Sequence, residues 1–242
     1  MTLTAHQQSR LQALGLARWV RRDLPAPVQL ASEDAAVEDL PPSAAVVNEQ
    51  TIEAMAWPEI EAAIRGCTAC ALHATRQQAV VGVGNRQADW MIVGEAPGEQ
   101  EDLQGEPFVG RAGVLLNNML AAVGLNRETV YIANVIKCRP PGNRDPHAEE
   151  LSSCIGYLER QIALVRPRLI LIVGRVAAQT LLHTDTAVGR LRGRVHYYGE
   201  QKIPVVVTYH PAYLLRRPAE KAKSWDDLKL ALSQQDQDQS GD

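Results

Sequence analysis

Four cysteines, a lone phenylalanine, an asparagine ending an apolar run and a histidine before a proline are the residues whose types and spacing could do chemistry here. Cys67 and Cys70 form a CxxC pair, with Cys138 and Cys154 far downstream. Four thiols suit a metal site, and this spacing accepts zinc or an iron–sulfur cluster equally. In a reducing compartment the even count implies no disulfides. Phe108, the only phenylalanine, lies in the glycine-rich segment GEAPGEQEDLQGEPFVGRAG, residues 94–113. That segment lacks both the GK[ST] of a phosphate loop and the GxGxxG of a dinucleotide fold. A rigid aromatic in a loop can stack on an extruded base, or simply pack against a core. Asn134 opens NVIKCRPPGNRDPH; its amide carries a donor and an acceptor and can pair with a pyrimidine edge that offers a carbonyl and an N–H. Arg139 and Arg144 bracket a stiff proline–glycine loop suited to phosphates. His210 opens HPAYLLRRP. There Tyr213 and Leu214 either join the core or wedge into a duplex while Arg216 holds phosphate.

The elements that must position these residues follow from periodicity. The pattern predicts a helix over 51–65, a strand over 90–93 ending at Gly94, and a Gly/Pro loop behind it. It continues with a helix over 112–123 stopped by Gly124, a strand over 130–135, and a helix over 147–165 ended by Pro167. Residues 169–173 are apolar without alternation, as in a strand covered on both faces. A helix over 175–183, strands over 195–198 and 204–208 and a last helix over 219–232 complete the series. Strands alternating with helices imply an α/β domain with a mainly parallel central sheet, whose ligands gather at the C-terminal ends of the strands. Gly94, Asn134 and His210 all fall at or just past such ends.

The chain has 242 residues, 45% hydrophobic and 22% charged, as in an ordinary globular protein. Residues 51–232 read as one domain. Residues 1–50 read as an extension, with a short helix over 5–18 and then a linker rich in Pro, Ala and acids that buries too little to fold. Residues 233–242 are polar and read as a disordered tail. No apolar run reaches the ~18 residues of a membrane span, and no secretory leader opens the sequence, so a cytoplasmic location is expected. The net charge of −3 conceals a division: residues 1–50 hold four Arg against six acids, and the tail holds three Asp without a base. The domain between them is slightly basic, so contact with nucleic acid is not excluded.

In order and wording, GEAPG-x-x-ED-x-x-G-x-PFVG, N-x-x-KCRPP-x-NR and HPAYLLR resemble the signature segments of family-4 uracil-DNA glycosylases. The likeness covers roughly residues 60–230. It implies a three-layer α/β/α sandwich around a four-stranded, mainly parallel sheet. It also implies a structural [4Fe–4S] cluster on Cys67, Cys70, Cys138 and Cys154. Phe108 would stack on uracil, Asn134 would read its Watson–Crick edge, and His210 would donate to its O2. Gly94, Ala96, Gly98, Glu101 and Asn143 would shape the base pocket. Arg139, Arg144, Tyr213 and Arg216 would hold the DNA, with Leu214 as the wedge. The substrate would be uracil-containing DNA, single- or double-stranded, and the protein a monomer. Residues 1–50 fit a docking arm for a replication or repair protein, and equally a dispensable tail.

Uracil would leave as an anion from a sugar with oxocarbenium character, and a neutral His210 N–H would stabilise the charge that appears there. The best-known glycosylase family carries an Asp two residues after the motif glycine, where this chain has Ala96. Glu95, or water held by backbone carbonyls, would therefore have to position the nucleophile. A related group that traps uracil-DNA covalently carries a KRRIH insertion, and none lies between Asn134 and Cys154.

Overall fold

The computed structural model describes residues 49–239. The readings for residues 1–48 fall outside them. Four short apolar runs settle the centre of the fold. Strands β2 (Trp90–Gly94), β3 (Tyr131–Asn134), β4 (Leu169–Val173) and β6 (Ile203–Thr208) run parallel to one another. β2 and β4 are buried along their whole length, as both-face coverage requires. Met91, Val93, Ala133, Ile170, Ile172, Val205 and Val207 enter one core, together with helices α2 (Trp57–Gly66), α5 (Ala148–Val165) and α6 (Arg175–Leu181). Ile92, Ile132, Leu169, Leu171, Val173 and Val206 enter the other, with α4 (Arg111–Ala121), α8 (Pro211–Arg216) and α9 (Lys221–Gln239). Helices thus cover both faces.

The sheet has six strands rather than four, in the order β1-β3-β2-β4-β6-β5. The extra pair, β1 (Val83–Gly84) and β5 (Val195–Tyr198), are antiparallel edges. β1 is two residues long, too short for alternation to reveal. From β2 the chain turns to β3 on one side and β4 on the other, so the order reverses at β2, where α/β sheets open a crevice for ligands. Gly94 and Asn134 are register partners at that point.

Other differences have local causes. The helix expected over 51–65 is two, α1 (Glu49–Ala54) and α2. Pro58 sits in the first turn of α2, and the Ala56 N–H donates to Glu59 Oε2 at 2.7 Å, a start signal rather than a continuation. The loop behind β2 contains α3 (Glu99–Gln104), closed by Gly105 at φ 75°. A further short helix, α7 (Val188–Leu191), follows α6. The last helix continues past 232 to Gln239. Among the described residues no helix is long and apolar enough to cross a membrane.

Candidate active site

At the C-terminal rim of the parallel strands lies a cleft of about 760 Å³, lined among others by Glu95, Phe108, Asn134, Asp145, Arg175 and His210. Three of its walls are set by close packing at the end of β2. A Cβ on Gly94 would fall 2.5 Å from Phe108 Cζ and closer still to Asn134 Oδ1. Only glycine lets the ring and the amide stand side by side. Phe108 itself adopts φ 55°, a left-handed conformation that costs a residue with a Cβ about 1–3 kcal/mol. Arg127 holds it there, donating to the Phe108 carbonyl at 3.0 Å and to that of Pro107 at 2.7 Å. Gly113 lets α4 close over the same carbonyl, where a Cβ would overlap the oxygen.

Asn134 is 1% exposed, and its Oδ1 has no hydrogen-bond partner among the described residues. An unsatisfied buried acceptor costs about 1–3 kcal/mol, so it marks a place where a donor from outside is received. Its main-chain carbonyl is held by the buried Lys137 Nζ at 2.8 Å. His210 faces Phe108 with ring centroids 5.6 Å apart and planes 31° from parallel. His210 Nδ1 accepts the Ala212 N–H at 3.1 Å, which assigns the ring proton to Nε2. Burial pushes the His210 pKa down to about 4, and the nearby Arg216 adds to the effect. The ring is therefore a neutral donor at physiological pH.

Glu95 follows Gly94 and lines the same cleft. Burial first and the neighbouring Asp145 carboxylate second raise its pKa to about 7, against the opposing pull of Arg175. Asp145 in turn pairs with Arg175. Sequence reading missed both partners. Asp145 was hidden inside the basic loop, and Arg175 follows Gly174 at the end of β4, where strand-end topology alone points.

Several expected roles meet different surroundings. Leu214, expected to wedge into DNA, is 1% exposed and belongs to the second core, which leaves it no surface to insert. The buried side of α8 falls on Leu214 because the segment is helical, a turn the prolines around it disguised. Arg144 makes a two-pronged bond to Glu150 at 2.8 and 2.6 Å, so its fork is engaged at the start of α5 before any phosphate arrives. Glu101 accepts from the backbone N–H groups of Gly98, Val109 and Gly110. It staples the Phe108 loop together, and a Cβ on Gly98 would meet its carboxylate at 2.7 Å. Asn143 lines the cleft, with Oδ1 accepting from Arg139 Nε at 2.8 Å. Ala96, Gly98, Tyr213 and Arg216 line it as well, whereas Arg139 stands behind Asn143. Arg216 makes no hydrogen bond or ion pair among the described residues.

The four cysteines line a separate, small hollow of about 10 Å³ with Arg76, Lys137 and Tyr157. All are free thiols. Arg76 donates to Cys138 Sγ at 2.9 Å, and the Lys137 backbone N–H to Cys154 Sγ at 3.3 Å. Such donors suit thiolates. Among the described residues no three His, Cys, Asp or Glu side chains gather closely enough for a single ion.

Fold and site together define an α/β protein with an aromatic-walled, amide-bearing cleft at the switch point of its sheet. The family model described as "Uracil DNA glycosylase superfamily" matches residues 81–229. A type-4 uracil-DNA glycosylase of Archaeoglobus fulgidus is 48% identical over 172 residues, covering 69% of this chain and 86% of its own length. One from Thermotoga maritima is 42% identical over 174 residues, 70% and 90% of the two chains. A type-5 uracil-DNA glycosylase of Pyrobaculum aerophilum is 30% identical over 146 residues, 54% and 64%. The chain belongs to the uracil-DNA glycosylase superfamily and, within it, to the type-4 family.

Proposed function

We propose that this protein is a DNA N-glycosylase that excises uracil from DNA for repair, holding the base between Phe108, Asn134 and His210. The observation that carries the reading is the unpartnered Asn134 Oδ1 beside the Phe108 ring and the His210 Nε2–H. Uracil supplies what each lacks: a π face for Phe108, an N3–H for Oδ1, and an O2 acceptor for the imidazole. Cytosine has an unprotonated N3 and an amino group where uracil has O4, so both polar contacts on that edge invert. The exocyclic methyl of thymine would have to fit against the stapled Phe108 loop.

In the reaction the C1′–N1 bond breaks and its electron pair stays on uracil. His210 Nε2–H stabilises the charge at O2 without giving up its proton. A donor of this kind contributes about 3 kcal/mol, or roughly a hundredfold in rate. Water bonds to C1′ and its proton passes to Glu95, whose pKa of about 7 suits a base at neutral pH. Arg216, without a partner among the described residues, and Tyr213 line the cleft where they can meet the DNA backbone.

Cys67, Cys70, Cys138 and Cys154 would hold a [4Fe–4S] cluster, whose four irons each take one thiolate, a demand met by four free thiols lining one hollow. Its contribution would be to fasten α2, the segment after β3 and α5 to one another. Burial pushes the Cys154 thiol up to about 12, so without a cation to displace its proton it stays neutral.

The test is base release from uracil-containing oligonucleotides, single- and double-stranded, by wild type and Asn134→Ala. Free uracil and an abasic strand from wild type, reduced at least a hundredfold in the variant, support the reading. A protein–DNA adduct stable to denaturant, with no free base, would replace turnover by trapping.

A further inference from the structure

Two carboxyl groups and a guanidinium line the cleft together, and only Glu95 has so far been given a task. Glu95 leaves the end of β2, Asp145 comes from the loop between β3 and α5, and Arg175 opens α6 at the end of β4. All three line the cleft. The two carboxyls stand close enough for the Asp145 charge to raise the Glu95 pKa, and two such groups bond to each other only by sharing one proton. Arg175 pairs with Asp145 Oδ2 and is itself steadied by Gln179 Oε1 at 3.1 Å. The guanidinium thus anchors Asp145 within electrostatic reach of Glu95.

We propose that Asp145, anchored by Arg175, is a positioning residue for base release that acts through Glu95, setting the pH at which Glu95 is free to take the proton of the attacking water. The inference rests on the glycosylase reading. Hydrolysis generates one proton from water as its oxygen bonds to C1′. Glu95 can accept it only when its own carboxyl is ionised. The charged and titratable groups around the cleft are Asp145 and Arg144 from the β3–α5 loop, Arg175 from α6, Glu101 from α3, and His210 and Arg216 from the segment after β6. Of these, Asp145 disfavours the ionised Glu95 and Arg175 favours it. The two neighbours therefore pull in opposite directions, which an ordinary structural contact does not.

The experiment is kcat/KM for uracil release across pH 5 to 9, at constant ionic strength, for the full chain and three variants. Wild type should show a rate that rises with pH about a midpoint near 7. Asp145→Asn removes the repelling charge, so the midpoint should fall by about one pH unit. Arg175→Gln removes the attracting charge, so the midpoint should rise. Glu95→Gln should abolish the rise altogether. Asp145 and Arg175 are both solvent-exposed, so either substitution should leave the fold intact, and circular dichroism checks that it does. A rise that survives in Glu95→Gln, or a midpoint unmoved in both charge variants, overturns the proposal while wild-type uracil release upholds the function. Absence of uracil release by wild type at every pH removes the function itself.

Discussion

At the scale of single residues, the cleft is built from groups held in states they would not choose in water. His210 is kept neutral by burial, and Glu95 is kept partly protonated by burial and by Asp145. Two titratable groups with pKa values pushed apart are a common acid–base arrangement. The consequences for stability have opposite signs. The folded-state pKa of His210 is lowered from 6.5 to about 4. Its contribution is therefore present above pH 6.5 and is lost as pH falls toward 4. For Glu95, raised from 4.5 to about 7, the contribution is present below pH 4.5 and is lost as pH rises through 7. Thermal melts from pH 4 to 8 should show His210→Asn less sensitive to acid than wild type, and Glu95→Gln less sensitive to alkali. Parallel curves for all three proteins would contradict the assigned protonation states. His210→Ala should also lower kcat by about a hundredfold. Asn134→Ala should behave differently, since the Oδ1 atom it removes is unpartnered. Uracil release should collapse while the melting temperature changes little, and a large fall in melting temperature would show that the amide serves the core instead.

At the scale of elements, legibility followed the physics of each signal. Buried strands such as Leu169–Val173 were plain because both faces are apolar and a neighbour on each side completes the ladder. The strand ends were plain for the same reason, and with them Gly94, Asn134 and His210. Short elements were not. β1 has two residues, too few for a period, and α3 is held by Glu101 reaching back to the Gly98 N–H, a bond that a glycine-rich stretch conceals. Leu214 looked available to DNA because a segment flanked by prolines reads as a loop. Once helical, its buried face falls on Leu214. Asp145 and Arg175 escaped because their meaning lies in a contact between residues thirty positions apart. The packing of α4 offers a direct check. Gly113 permits the helix to lie on the Phe108 carbonyl, so Gly113→Ala must displace either the helix or the strained loop. Overpacking of this kind costs about 1–3 kcal/mol, and the uracil KM should rise with it because Phe108 moves. Chemical denaturation and steady-state kinetics measure the two effects together, and an unchanged KM would separate the helix from the base platform.

At the scale of the whole molecule, the cysteine hollow and the cleft are adjacent along one stretch of chain. Cys138 is next to Lys137, whose ammonium donates to the Asn134 carbonyl at 2.8 Å and to Gln161 Oε1 at 2.6 Å. Gln161 continues inward to the Val81 carbonyl and the Tyr131 hydroxyl. The main chain of Asn134, the residue proposed to read the base, is thus held by the same segment that supplies a thiol. Three segments far apart in sequence meet around the sulfurs: the turn after α2, the segment after β3, and α5. A group bound by all four thiols closes those chain excursions together, so its loss acts on the whole domain rather than on one loop. Cys154→Ser tests this. Cys154 is buried and accepts the Lys137 N–H, and serine nearly matches its volume, so packing alone predicts a small change. Loss of a structural metal group instead costs on the order of 3 kcal/mol or more. For a domain of this size that lowers the melting temperature by roughly 6–12 °C. Bound iron and its visible absorption should disappear in step, and uracil release should weaken as the support beneath Asn134 slackens. A variant that keeps its iron and its melting temperature would return Cys154 to the ordinary core and leave the bracing of the cleft to Lys137 and Gln161 alone.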